Sequence, residues 1–378
     1  MILGIDASNI RSGGGLTHLK ELLSHATPQD YGFSKVIVWS CRRTLEQLPD
    51  VHWLEKIHVS HLDGHLIKRI LWQKFVLPRI AQKKCSLLFV PGGNFSSGKI
   101  TYVTMSQNLL PFEVCESKRY GISLDRLRLF LLKKGQAISF CKSSGIIFLT
   151  DYAQSVVRGQ VGHLSIPSSV ISHGISKEFF REPKIQKQNS TYSFSQPFRW
   201  IYVSNVSLYK HQWHVVEAIA RLRNEGFPFV LDLVGAPHSL ALPKLKSALS
   251  KWDPNKEFVE FHGALPHQQI SKLCHDSDGF VFASSCENLP IILLEGMASG
   301  LPIACSKLGP MPEVLRDGGL FFDPEDPSSI AEALRDLFLD PLLRTFLINR
   351  SFQYAKEYSW QRCAHETFIF LSKAANKF

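Results

Sequence analysis

The sequence predicts an α/β protein built from two doubly wound, parallel-sheet domains in tandem. Short apolar runs of strand length alternate with helical segments along the whole chain. One polar stretch, residues 181–197 with prolines at both ends, interrupts that alternation a single time. The first apolar run leads straight into a glycine-rich loop and then a helix, which is how a doubly wound unit begins.

Residues 2–5 read as a buried strand, residues 6–15 as a polar loop ending in Gly13, Gly14 and Gly15, and Leu16 to Leu23 as a helix. Further strands are expected at 36–39, 87–90, 101–105, 146–149 and 170–172, with helices between them. After the polar stretch the pattern restarts with strands at 200–204, 229–235, 259–261, 279–283 and 301–305, and the tail from 335 onward reads as helical. The resulting division is a first domain over 1–183, a linker over 184–197, a second domain over 198–360, and a C-terminal helix over 361–378 that packs back on the first domain.

A chain of 378 residues with 44% apolar and 20% charged residues fits two or three globular domains. No stretch approaches the roughly 18 apolar residues of a membrane span. The opening Met1-Ile2-Leu3 has no basic leader, so no secretory signal is expected. Eight cysteines are scattered without a C-x-x-C pair and read as reduced thiols of a cytoplasmic protein, with neither disulfides nor zinc expected.

Charge is distributed unevenly. Residues 1–190 carry 25 Lys and Arg against 13 Asp and Glu, a net of +12, while the remainder nets −2. A basic first half points to an anionic partner there. Residues 66–75 and 124–134 interleave Lys and Arg with apolar residues at helical spacing. Each reads either as an amphipathic helix on its own sheet or as a face resting on anionic lipid headgroups. No nucleic-acid reader motif accompanies the charge, so nucleic acid is not expected.

The stretch from 279 to 305 carries the chemistry. A strand, a loop with Glu287, a helix with Glu295 in its second turn, Gly300 and another strand follow in order. Pro290 suits the first helical turn and Gly300 the left-handed residue beyond its end. The amides of that first turn make an anion site. At about 100° per residue the two glutamates would lie about 80° apart, so they are not a same-face pair. Lys210 follows the first strand of the second half, where a cation can reach a phosphate, and His173-Gly174 follows a strand end.

Taken together, these motifs resemble the retaining glycosyltransferases of the two-Rossmann-domain (B-type) fold, specifically their family four. The resemblance is carried by the Gly-Gly loop, by Ser172-His173-Gly174-Ile175 with Phe179-Phe180, and by Tyr202-Val203-Ser204 with Lys210. It continues through Phe261-His262-Gly263, Glu287-x7-Glu295, Gly309-Pro310-Met311-Pro312-Glu313-Val314 and the run from Gly319 to Pro324. It implies two Rossmann-like domains facing across a cleft, with a nucleotide-sugar donor in the second. Glu295 would hold the ribose hydroxyls and Glu287 the sugar hydroxyls. Lys210 and the amides at Asn288, Leu289, Pro290 and Ile291 would hold the diphosphate. Asn205, Gly14, Gly15 and His173 would line the donor site, and Gln107 would stand near the reacting sugar. No metal and no cofactor are expected, so a lysine and a helix N-terminus would stabilise the departing diphosphate.

Two positions depart from the family pattern. Asn205 stands where an arginine five residues before the lysine is common, and Gln107 where a histidine is common. The expected activity is transfer, with retention, from a UDP- or GDP-sugar to a growing, lipid-linked cell-surface glycan at the inner face of the plasma membrane. A non-catalytic nucleotide-sugar-binding subunit of a transferase complex, and an epimerase of the same fold, are the alternatives.

Overall fold

The computed structural model describes residues 1–162 and 164–376. The chain divides into two compact units, Met1–Gly174 with Ser359–Phe378, and Ile175–Tyr358. Each is built on one parallel sheet.

The first sheet has seven strands: β1 (Ile2–Asp6), β2 (Lys35–Ser40), β3 (Leu54–His58), β4 (Leu87–Val90), β5 (Tyr102–Met105), β6 (Gly145–Phe148) and β7 (Ser168–Val170), in the order β3-β2-β1-β4-β5-β6-β7. The second has six: β8 (Phe198–Val203), β9 (Phe229–Val234), β10 (Val259–Gly263), β11 (Gly279–Phe282), β12 (Ile303–Ser306) and β13 (Leu320–Phe322), in the order β10-β9-β8-β11-β12-β13. Both place the first and fourth strands side by side, the Rossmann order. Central strands such as β4 and β11 are buried along their whole length because helices cover both faces, which is why they read as unbroken apolar runs.

The structure adds two strands and shifts several boundaries. β3 has the sequence Leu-Glu-Lys-Ile-His and lies at a sheet edge only half-buried, so no apolar run marks it. β13 is three residues long at the opposite kind of edge in the second sheet. β7 ends at Val170, where the expected strand begins, because its pairing with β6 runs from Ser168 to Val170. The first helix starts at Gly13, so the three glycines are its first turn and not the end of a loop.

Residues 184–197 belong to the second unit, and the division falls after Gly174. The buried side chain of Arg344 anchors the polar stretch by donating to Gln186 Oε1 (3.1 Å) and to the carbonyl of Lys187 (2.5 Å). Helix Trp360–Ala375 belongs to the first unit. There a Cβ on Gly174 would come within 2.2 Å of the Trp360 amide nitrogen, so only glycine fits. All eight cysteines are free thiols. Among the described residues no helix is long and apolar enough to cross a membrane.

Candidate functional site

In a doubly wound sheet the chain leaves the two central strands in opposite directions, and a crevice opens beyond their carboxyl ends. In the second domain those strands are β8 and β11. The loop after β8 carries Asn205 and Lys210, and the loop after β11 carries Glu287. Backbone and side-chain bonds tie the two loops together. Ser285 N donates to the carbonyl of Tyr209 (2.8 Å), and His211 Nε2 bonds Ser285 Oγ (2.9 Å). The hydroxyl of Tyr202 donates to the carbonyl of Lys210 (2.5 Å). His211 has φ +51°, an uncommon conformation for a non-glycine residue, and it turns the chain from Lys210 into the next helix.

Lys210 Nζ forms an ion pair with Glu287 Oε1. Their side chains are only 11% and 16% exposed, so both charges sit largely out of water and satisfy each other. The ammonium also lies 5.1 Å from the centre of the Phe282 ring. Lysine and glutamate thus meet at the strand ends, where an anionic ligand would compete with the carboxylate for the ammonium.

Helix Ile291–Ala298 follows directly. Pro290 is its cap and has no amide hydrogen, so it offers a diphosphate nothing. The Ile291 amide donates to the carbonyl of Leu289 (3.0 Å). Gly300 closes the helix with φ +64°, where a side chain would be strained, and a Cβ there would also lie 2.9 Å from the carbonyl of Arg181.

Glu295 is in the second turn, buried at 3% exposure. Its Oε1 bonds His267 Nε2 (2.9 Å), and His267 Nδ1 bonds Glu178 Oε1 (2.6 Å). The other oxygen, Oε2, is buried without a hydrogen-bond partner. It is an acceptor with an open valence, which suits a ligand hydroxyl. Burial pushes the Glu295 carboxyl up, and the bond from His267 works against that rise. His267 is pushed up to about 9, first by its bond to Glu295 and then by the charges of Glu295 and Glu178. No sequence pattern marks this relay, since Glu178 and His267 stand 89 residues apart.

The relay predicts a pH effect on stability. The pKa of His267 is raised in the folded state, so its contribution is complete below its ordinary 6.5 and fades as pH climbs through about 9. Replacing His267→Asn should lower the unfolding midpoint at pH 6 and have much less effect at pH 10. Equal shifts at the two pH values would show that the imidazolium pairing contributes nothing.

The remaining expected residues are divided between the units. Asn205 is exposed, and its Oδ1 accepts from the Ala236 amide (3.3 Å) at the end of β9. Gly14, Gly15, Gln107 and His173 all lie in the first domain. A Cβ on Gly15 would be 3.0 Å from Gln107 Oε1, and Gln107 Nε2 bonds His18 Nδ1 (3.1 Å). His18 in turn stacks on His173, with ring centres 4.6 Å apart, and Trp360 packs on both. His173 is only 3% exposed and its Nδ1 has no partner. Burial, with His18 beside it, holds its pKa well below the usual range. His173 thus packs in the core of its domain, and among these residues Gly15 and Gln107 are the pair nearest the glycine turn.

Among the described residues two clusters gather metal-type donors, His18 with His173 and Cys363, and Asp232 with Glu260 and His262. In the second, Arg199 already donates to Asp232 Oδ2 (2.8 Å) and His262 to Oδ1 (2.7 Å), so the carboxylate has its counter-charge.

Residues 184–354 match the family model described as glycosyl transferases group 1. The matched stretch takes in most of the second unit. The strands, the Lys210–Glu287 pair and the Glu295 helix all lie inside the matched stretch. In sequence the chain is similar to the O-antigen chain mannosyltransferase B of Escherichia coli, 30% identical over 110 residues, which cover 29% of each chain. It is also similar to the D-inositol 3-phosphate glycosyltransferase of Corynebacterium urealyticum, 26% identical over 158 residues, 40% of this chain and 37% of that one. The chain thus spans well under half the length of these curated relatives.

Whole-chain likeness is in the fold. The Anabaena protein HepE, solved in complex with UDP and glucose, superposes with TM-score 0.70 at 15% identity, covering 99% of this chain and 100% of that one. WaaG, described as a glycosyltransferase involved in lipopolysaccharide biosynthesis, gives TM-score 0.69 at 16% identity over 98% and 99%. The likeness covers both units, so the fold is the two-Rossmann-domain (B-type) one of these solved proteins.

Proposed function

We propose that the protein transfers a sugar from a nucleoside diphosphate donor, held by the second domain, to a lipid-linked glycan. The observation that carries this is the Lys210–Glu287 pair beyond the carboxyl ends of β8 and β11, followed at once by the helix that holds Glu295. In this reading Lys210 passes from Glu287 to the donor diphosphate, and Glu287 turns to the sugar hydroxyls. The open Oε2 of Glu295 accepts from the ribose. The charge that builds on the leaving diphosphate falls to the ammonium and the turn amides, with no metal and no cofactor required. Anomeric configuration would be retained, as the resemblance to family four implies.

The first domain would rest on the anionic, cytoplasmic face of a membrane. Helix Leu66–Leu71 has no buried residue, and Ile67 is 71% exposed beside Lys68. Helix Leu124–Lys142 likewise exposes Leu124, Leu127, Phe130 and Leu131 among its basic residues. An unpartnered apolar and basic face of this kind suits an interfacial contact.

A second reading, an accessory subunit that binds the donor without turning it over, is favoured by Asn205. Its side chain is engaged with Ala236, and no guanidinium stands in its place. One experiment separates the two: labelled UDP- and GDP-sugars are offered with lipid-linked acceptors in anionic vesicles, and both transfer and co-sedimentation are read. Label should appear in lipid, and sedimentation should weaken with salt because the contact is screened. Donor binding without transfer to any acceptor would favour the subunit. Absence of sedimentation at low salt would remove the membrane contact.

A further inference from the structure

Three segments far apart in the chain bring His18, His173 and Cys363 together in the first domain. His18 is on helix Gly13–Ser24, His173 follows β7, and Cys363 is in the first turn of helix Trp360–Ala375. All three are buried, at 0%, 3% and 0% exposure. With one donor atom taken from each residue, the two nitrogens and the sulfur lie within 4.8 Å of one another. Tight packing holds them there. The two imidazole centres are 4.6 Å apart, Trp360 packs on both rings, and a Cβ on Gly174 would strike the Trp360 amide nitrogen.

His18 Nε2 and His173 Nδ1 are buried with no hydrogen-bond partner. Buried ring nitrogens in that state call for a water or an ion. The other nitrogen of His18, Nδ1, lies 3.1 Å from Gln107 Nε2. Turned over, the same amide would accept the Nδ1 proton and fix the tautomer that leaves Nε2 free to ligate. Two imidazoles and a thiolate are a soft donor set, suited to copper(I) or zinc(II). Bonds of about 2.0 Å to nitrogen and 2.3 Å to sulfur, at trigonal angles, place donors about 3.5–3.8 Å apart, so each pair closes by at most about 1.3 Å. Charge and ligand number decide between the ions. The set holds no carboxylate, so zinc(II) with one thiolate would leave an uncompensated positive charge out of water, and zinc takes four ligands. Copper(I) with the thiolate is neutral, and a trigonal His-His-Cys set suits copper.

We propose that His18, His173 and Cys363 form a buried copper(I) site that pins the C-terminal helix to the rest of the first domain. The ion enters as the thiol proton leaves to solvent, with no change of oxidation state. Lys210 and Glu287 belong to the other unit, and no step of the transfer proposed above draws on this site. The test titrates the full, reduced chain without oxygen, using copper(I) held by the competing chelator bicinchoninate, and follows thermal unfolding alongside. One copper(I) should bind per chain and raise the unfolding midpoint. Cys363→Ala, and His173→Phe, which keeps a ring against His18 and Trp360, should each lower the affinity by more than about a hundredfold and abolish the rise. Their midpoints without metal report whether they fold. Gln107→Leu should weaken binding by about tenfold. Replacing the exposed thiols, Cys115→Ser with Cys141→Ser, should leave binding unchanged. X-ray absorption at the copper edge of the wild-type chain needs no variant and should show one sulfur and two nitrogens. A shell of two sulfurs, or loss of binding on replacing the exposed thiols, would overturn the site. So would a chain that takes no copper(I) from the chelator and melts at the same temperature with and without it. Zinc(II) raising the midpoint as far as copper(I) at equal free concentration would overturn the choice of ion.

Discussion

Replacing Lys210→Met is expected to lower the rate of sugar transfer by about a hundredfold to a thousandfold, the range seen when one preorganised charge stabiliser is removed. In the proposed reaction the bond that breaks adds a negative charge to the departing nucleoside diphosphate, and Lys210 is the ammonium that both loop ties aim at the strand ends. Among the described residues the turn that follows Glu287 offers little else, since Pro290 has no amide hydrogen and Ile291 donates to Leu289. Asn205 supplies no charge to make up the loss.

The ion pair gives this prediction a built-in control. With lysine gone, Glu287 keeps a carboxylate that is only 16% exposed and has lost its cation. The single variant should therefore also unfold at a lower temperature. Adding Glu287→Gln should restore much of that stability by removing the orphaned charge, while transfer stays low. If the double variant recovers both stability and transfer, Lys210 is structural and the diphosphate assignment is wrong. The measurements are a thermal melt and an initial rate on the same preparations.

Why some of this could be read from sequence follows from where the signal lies. β8 and β11 are central strands whose side chains are almost all buried, so their apolar runs stand out, and the loops after them can be located to within a residue. The placing of Lys210 and Glu287 on those loops is legible for that reason. β3 lies at a sheet edge, where half-burial permits charged residues, and β13 is only three residues long, so neither leaves an apolar run of strand length. The polar stretch near 184–197 has the composition of a linker, yet Arg344 reaches it from a helix about 150 residues later in the chain. Composition reports the solvent-facing side of such a segment and is silent about its anchor. The same is true of His267, whose two carboxylate partners are brought to it only by the fold.

That relay makes Glu295→Ala the second large prediction. Glu295 is 3% exposed, and the price of burying its charge is met on one side only, by His267 on Oε1. A ribose hydroxyl on Oε2 would complete the set, and a hydrogen bond to a charged group contributes about 1.5–3 kcal/mol. Donor KM should accordingly rise by about tenfold to a hundredfold, with a smaller fall in kcat, because the ribose is remote from the bond that breaks. Glu295→Gln keeps the shape and one acceptor oxygen but removes the charge that holds His267, so it should fall between wild type and alanine. The split between KM and kcat is what a merely structural role would not give. A variant whose loss lies in kcat alone, with UDP affinity intact, would move Glu295 out of the donor site and leave its open oxygen without a ligand.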